Sequence, residues 1–136
     1  MLIEIVEHID IGEANKYLGS DTAGAINLFI GTVRNHSKGK TVLHLDFEAY
    51  EPMALKEMEK LGKLAKDKWP LYEVAIIHAV GSKLPGEPVV VIGVSSAHRD
   101  ASFEACRFLI DELKNTVPIW KKEYYEDNSV WVNAHP

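Results

Sequence analysis

The spacing of apolar and polar positions predicts alternating strands and helices along the whole chain. Apolar or period-two runs predict strands over 2–6, 23–34, 41–50, 72–80, 89–97 and a segment after Pro118. Apolar positions that recur every three or four residues predict helices that begin after Asp10, at Pro52 and after Asp100. Several strands adjoin one another, so the order favours an α+β fold with a mostly antiparallel sheet over a doubly wound parallel one.

The last predicted helix lies between the strand 89–97 and Pro118. Asp100 is its predicted N-cap, and Pro118 ends it because proline lacks an N–H and restricts the preceding residue. Its apolar stripe is predicted to consist of Phe103, Cys106, Leu109, Ile110, Leu113 and Val117. Beyond Pro118, neighbouring side chains of an extended segment point to opposite faces, so only one of Lys121 and Lys122 is expected to point inward.

The polar turn 35–40 separates two predicted strands, and a hairpin between 23–34 and 41–50 is therefore expected. Gly31 is expected to mark a bulge or a close approach of two backbones. In the strand 41–50, alternation predicts one shared face for four apolar residues, Leu43, Leu45, Phe47 and Ala49.

Composition describes an ordinary globular domain with an acidic balance. The chain has 136 residues, 46% of them hydrophobic, and a formal net charge of -5, which does not favour broad nucleic-acid binding. With Cys106 as the single cysteine, an intrachain disulfide and a cysteine metal cluster are excluded. Neither a bilayer-spanning run nor the basic start of a signal peptide is seen, so we expect a cytosolic protein.

Cationic residues are distributed unevenly despite that acidic balance. The segment 22–45 contains no Asp or Glu, whereas it includes Arg34 and His36. His98 and Arg99 precede the last predicted helix, whose N-terminus favours anions. If the turn 34–40 approaches the region 98–121 in space, the two form an anion-binding basin. The alternative is that Asp100 takes the free helical N–H groups and Arg99 lies on the solvent.

Other common chemistries lack their sequence signatures. The histidines at positions 8, 36, 44, 78, 98 and 135 do not show the spacing of a zinc site. The chain contains no nucleophile elbow, P-loop or dinucleotide fingerprint. Cys106 falls on the predicted apolar stripe, so we interpret it as a core residue rather than a reactive thiol. No cofactor or metal is therefore expected.

Three separated motifs carry a resemblance to one protein family. They read G-T-V-R-N-H at 31–36, S-A-H-R at 96–99 and L-K-x-x-x-P-I-W-K-K-E at 113–123. Together with FEAYEPMA and PGE, they make the chain similar to the large, catalytic subunit of molybdopterin synthase. The resemblance reaches from the first strand to about Trp131. It implies a single domain over 1–136 with an α/β-hammerhead-like fold, in which helices flank a mostly antiparallel sheet.

The resemblance also implies an activity and partners. Members of that family are sulfurtransferases of molybdenum cofactor biosynthesis, which convert cyclic pyranopterin monophosphate to molybdopterin. Sulfur is delivered by the C-terminal thiocarboxylate of a small ubiquitin-like subunit ending in Gly-Gly. Family members form a homodimer within a heterotetramer, act without a cofactor of their own, and bind neither nucleic acid nor membrane.

Motif by motif, the resemblance assigns roles to seven residues of this chain. Lys114 and Lys121 match the catalytic lysines of the family. The positions that match its substrate- and anion-binding residues are Arg34, His98 and Arg99, with His36 and Lys122 as less specific matches inside the same motifs. Two other functions stay open from the residues alone. One is a non-catalytic module that binds anions, and the other is an RNA-binding domain that uses the basic turn and the tryptophans.

Overall fold

The computed structural model describes residues 1–133, so His135 and the rest of the C-terminal end lie outside the described residues. The elements in chain order are β1 (Leu2–Val6), α1 (Ile11–Leu18), β2 (Ala25–Thr32), β3 (His36–Ser37), β4 (Lys40–Ala49), α2 (Glu51–Lys68), β5 (Leu71–Ala79), β6 (Gly81–Lys83), β7 (Pro88–Ser96), α3 (Arg99–Thr116), β8 (Ile119–Tyr125) and β9 (Val130–Asn133). The predicted α+β class is confirmed, and the short strands β3, β6 and β9 add to the predicted order. Within this range, no helix combines the length and apolar character needed to cross a membrane.

The strands form two sheets. The first has the order β1-β5-β7-β2, in which β1 runs parallel to β5 and the other neighbours are antiparallel. The second has the order β3-β4-β8-β9, with β6 also paired to β4, and its pairs are antiparallel. The prediction of a mostly antiparallel arrangement is confirmed for the described residues.

The predicted hairpin between 23–34 and 41–50 is wrong. Strand β2 pairs with β7 in the first sheet, whereas β4 belongs to the second sheet. The polar turn instead closes the short hairpin of β3 and β4, where Lys38 and Gly39 have φ values of 55° and 73°. Two positive φ values suit a two-residue hairpin loop whose twist matches that of its strands. The predicted irregularity at Gly31 is confirmed by a register shift between Gly31 and Thr32.

Helices cover both faces of the first sheet. Alternation along β5 directs Ile77 to one face, where it clusters with Ala14 of α1, and Ile76 to the other. On that second face, α2 and α3 pack together over the sheet and bury the main core. The core therefore lies between this sheet, its two long helices and the inner face of β4 and β8.

Two predicted apolar faces needed correction. In α3 the buried stripe runs through Ser102, Ala105, Cys106, Leu109 and Leu113, so Phe103 falls outside it and is 59% exposed. The helix begins at Arg99 and its N-cap is His98, so the prediction of Asp100 as N-cap is wrong.

In β4, Leu43 was predicted to share the apolar face of Leu45 and Phe47. A register shift between Val42 and His44 instead buries Val42 and leaves Leu43 exposed.

Strand β8 settles which of the adjacent lysines points inward. Its buried positions are Ile119, Glu123 and Tyr125, which share one face by the two-residue period. Lys121 belongs to that face, and Lys122 lies on the opposite one. The prediction that the two side chains point in opposite directions is confirmed.

Candidate active site

A cavity of about 300 Å³ opens where the two sheets meet the C-terminal half of α3. Its lining combines apolar and polar residues, and most of the apolar ones come from β2, β4, β7 and α3. Its polar lining, apart from Thr32, consists of Arg34, His36, Ser37, His78, Lys114, Lys121 and Glu123. We call this space the cationic cavity, because Arg34, Lys114 and Lys121 face it against the single carboxylate of Glu123.

Three cations reach the cavity from distant parts of the chain. Arg34 follows the irregular end of β2, where the chain leaves the first sheet. Lys114 lies in the last turn of α3. Because Pro118 ends that helix, the chain returns as β8 beside β4, and Lys121 pairs with Phe47. The turn after β2 and the segment 114–121 therefore meet in space.

Two of the seven residues assigned by resemblance lie at the other end of α3. His98 and Arg99 are exposed at its N-terminus and do not line the cavity. Lys114 lies fifteen positions after Arg99, which corresponds to roughly 22 Å along an α-helix. Lys122 does not line the cavity either, since it points away from Lys121. A single copy of the chain thus brings Arg34, His36, Lys114 and Lys121 together, without His98, Arg99 or Lys122.

The inward lysine has a partner that the motif reading did not single out. The Nζ atom of Lys121 lies 3.5 Å from Oε1 of Glu123, whose residue is only 6% exposed. The Tyr125 hydroxyl donates a hydrogen bond to Oε2 of the same carboxylate. Burial alone would raise the pKa of Glu123, but the hydrogen bond from Tyr125 and the charge of Lys121 lower that pKa below its ordinary value. Glu123 is therefore a fixed negative charge beside Lys121.

The chain is similar to proteins of one family over most of its length. The family model of the MoaE protein matches residues 5–116. The chain belongs to the MoaE family. The human protein named molybdopterin synthase catalytic subunit is 46% identical over 125 residues, a match that covers 92% of this chain and 66% of the human one. The Arabidopsis thaliana protein of the same name is 44% identical and covers 96% and 67%. This MoaE-family chain thus spans about two thirds of the length of these curated relatives.

Solved structures agree with this assignment. Molybdopterin synthase from Staphylococcus aureus superposes on the MoaE-family chain with a TM-score of 0.92 at 34% identity, over 98% of this chain and 97% of the other. The MoaE protein from Burkholderia ambifaria gives a TM-score of 0.81 at 33% identity, over 100% and 92% of the two chains. These matches support the α/β-hammerhead-like fold that the resemblance implied.

One residue of the cavity in this MoaE-family chain carried a weak sequence signal. His78 lies outside the three motifs and lacks the spacing of a zinc ligand, yet it lines the cavity and is 1% exposed. Burial lowers its pKa to about 4, although a hydrogen bond with the Ala79 carbonyl opposes that change. A histidine inside the apolar strand VAIIHAV was the signal, because a buried polar residue needs an explanation.

Cys106 does not contribute chemistry to the cavity. It is 5% exposed, and its Sγ lies 3.8 Å from the Ile92 carbonyl oxygen. Burial raises the pKa of its thiol to about 11, so the reactive thiolate is scarce near neutral pH. Within residues 1–133, no group of three or more His, Cys, Asp or Glu side chains is placed to hold a metal ion. The polar groups of the cavity are its cations, the carboxylate of Glu123, the buried imidazole of His78 and the side chains of Thr32, His36 and Ser37.

Proposed function

We propose that this chain is the catalytic subunit of a molybdopterin synthase, a sulfurtransferase of molybdenum cofactor biosynthesis. It converts cyclic pyranopterin monophosphate to molybdopterin with sulfur from the thiocarboxylate of a small protein partner. The observation that carries the proposal is the convergence of Arg34, Lys114 and Lys121 in one cavity. Both reactants are anions in this chemistry, and a cavity with three cations and one carboxylate is suited to hold them together.

The lysines have distinct environments, which suggests distinct roles. Lys121 is partly buried and held by Glu123, so it acts as a fixed charge near the reacting atoms. Lys114 is exposed at the end of α3 with no ion pair among the described residues, so its ammonium is free to follow the substrate. Either cation stabilises the oxyanion that develops when water attacks the acyl carbon of the partner's tail after its sulfur has bonded to the pterin. The acyl–sulfur bond then breaks, which leaves the sulfur on the pterin and a carboxylate on the partner. Lys114 could also act as a transient nucleophile or a proton carrier once the bound reactants exclude water from its ammonium.

The sulfur donor is a small ubiquitin-like subunit that ends in Gly-Gly. A glycine tail suits this cavity, since backbone without side chains can approach the apolar walls closely. Cys106 is buried, so sulfur must arrive from outside the chain rather than from its own thiol. We place this reaction in the cytosol, where such a partner and the phosphorylated pterin would both be present.

The positions of His98 and Arg99 bear on the assembly. If both bind substrate, as the motif match predicts, they must reach a cationic cavity from a different copy of the chain. A homodimer within the heterotetramer meets this requirement, since each copy would complete the cavity of the other. Mixing a Lys114→Ala chain with an Arg99→Ala chain tests this arrangement. If each site is built from two copies, a mixed dimer has one site that carries both substitutions and one that carries neither, so the mixture should regain activity. Equal inactivity of the mixture and of both variants alone would contradict the shared site.

The activity is tested by mixing the purified chain with its thiocarboxylated partner and the cyclic pterin phosphate. We expect molybdopterin to form, and we expect Lys114→Ala and Lys121→Ala to lower turnover by at least a hundredfold, as expected when a preorganised charge is removed. Lys16→Ala, on the exposed surface of α1, is the matched control and should behave as the parent chain. Unchanged turnover in both cavity variants would favour the non-catalytic anion-binding alternative.

A further inference from the structure

The imidazole of His78 occupies a position where the strand pattern calls for an apolar side chain. Along β5, the residues Val74, Ile76 and His78 point to the same face, and the first two belong to the main core. His78 lies at the end of that row, where the core gives way to the cationic cavity. Its ring meets the ring of Phe47 edge-on, with centroids 5.4 Å apart and an interplanar angle of 61°.

The contacts of the ring fix its tautomer. Nδ1 lies 2.7 Å from the carbonyl oxygen of Ala79, which can only accept, so Nδ1 carries the hydrogen. The other nitrogen, Nε2, then presents a lone pair and has no protein partner within residues 1–133. No fully enclosed side-chain nitrogen in that range lacks a partner. Because Nε2 has no such partner, it is not fully enclosed, and the open space that His78 lines is the cationic cavity.

Polarity changes along the cavity. Arg34 and Lys114 are exposed and therefore lie toward its mouth, whereas His78 and Glu123 are buried, and the half-buried Lys121 pairs with Glu123. A phosphate is held best by the cations at the mouth. A flat heterocycle is held best by the apolar walls, with its edge turned toward any polar group between them. The arrangement thus orients a phosphorylated ring compound with its ring inward.

We propose that His78 is a positioning residue whose Nε2 accepts a hydrogen bond from a ring N–H of the pterin. This inference rests on the proposed function and specifies how the substrate of that site is oriented. A reduced pterin has N–H donors along its edge, so one orientation pairs a donor with Nε2. Another orientation would place a ring acceptor against the same lone pair and leave both groups unpaired. The neutral imidazole selects the first orientation.

The charge state of the ring supports this role. Protonation would turn Nε2 into a donor and abolish the acceptor, but burial lowers the pKa of His78 to about 4. The other ionisable groups that line the cavity are Arg34, His36, Lys114, Lys121 and Glu123. The acceptor is therefore available throughout the neutral pH range.

The first test is steady-state kinetics of His78→Phe, which keeps an aromatic ring and removes both nitrogens. We expect KM for the cyclic pterin phosphate to rise roughly tenfold to a hundredfold, as expected for a buried donor left unpaired, while kcat changes much less. The affinity for the thiocarboxylated partner should stay unchanged. His8→Phe, at an exposed histidine outside the cavity, is the matched control. An unchanged KM, or a loss confined to partner affinity, would overturn the proposal.

The second test needs no substitution and so does not depend on how well a variant folds. In the chain labelled with ¹⁵N at histidine, the Nε2 resonance of His78 should be that of an unprotonated nitrogen. It should move when the cyclic pterin phosphate is added to saturation. A protonated Nε2, or an unmoved resonance, would refute the proposal. If the parent chain forms no molybdopterin but the resonance still moves, the proposed activity fails and the positioning role survives.

Discussion

Lys121 and Glu123 form an ion pair between alternate positions of one strand, with 3.5 Å between Nζ and Oε1. The two-residue period of β8 places both side chains on the same face, and Tyr125 follows on that face as the donor to Glu123. Local strand geometry thus sets a cation, a carboxylate and a hydroxyl in a row. Lys121 and Glu123 line the cavity, whereas Tyr125 is buried outside its lining.

We predict that Glu123→Gln lowers turnover by about tenfold or more, because the amide keeps the shape of the side chain but no longer anchors the charge of Lys121. Binding of the anionic pterin should weaken little, since the cavity becomes more positive. The measurement is kcat and KM with thiocarboxylated partner and cyclic pterin phosphate. Glu126→Gln, at an exposed position just beyond β8, is the control. A parent-like kcat for Glu123→Gln would show that Lys121 does not depend on this anchor.

His78 makes the stability of the fold depend on pH. Its pKa is about 4 when buried and 6.5 in the unfolded chain, so between these values the unfolded chain binds more protons. The free energy of unfolding should therefore fall as pH drops from about 6.5 to about 4. The contribution of this one group is about 3 kcal/mol over that range. Urea unfolding of the parent and of His78→Phe at several pH values measures it as the difference between their pH slopes. Identical slopes would contradict a neutral buried imidazole.

Cys106 should be inert in the folded chain. Its burial and its pKa of about 11 leave little thiolate at neutral pH, and the surrounding core blocks a reagent. We predict that an aromatic disulfide reagent labels it slowly in the native protein and rapidly in denaturant. The folded chain should also retain its activity after the reagent is removed. Fast native labelling would place Cys106 at an accessible site instead of the core.

The fold was largely predictable because its long elements follow strong local patterns. The end of α3 at Pro118 and the cap of α1 at Asp10 came from single residues with clear physical roles. The pairing of β2 was not predictable, because the short separation from 41–50 favoured a hairpin and nothing local revealed β7 as its partner. The predicted apolar stripe of α3 wrongly included Phe103. The small residues Ser102 and Ala105 line the buried side of the helix there, and their size gave no signal of burial in the sequence.

The candidate site was predictable only in part. The motifs located Arg34, Lys114 and Lys121, and the structure brings these three to one cavity. A helix between His98 and Lys114 already implies that the two lie far apart, but the motifs do not specify which end of that helix faces the cavity. The roles of all these residues stay predictions until the variants are measured.

Gly24, just before β2, packs against Ala97, which follows β7 and precedes His98. A Cβ at Gly24 would lie 2.2 Å from the Ala97 carbonyl oxygen, which is backbone, and the Gly24 N–H donates to the Ser96 carbonyl at 3.0 Å. Gly24→Ala must therefore push two chain segments apart. We predict a loss of about 1–3 kcal/mol in the free energy of unfolding, measured by urea titration.

Gly19→Ala is the matched substitution, since its Cβ would meet backbone oxygens no closer than 3.7 Å and its φ of -74° suits alanine. That variant should be neutral or slightly more stable than the parent, because alanine restricts the unfolded chain. If Gly24→Ala is as stable as Gly19→Ala, the two backbones at this corner do not lie as close as the structure places them. The shape of the segment before His98 would then be set by something other than close packing.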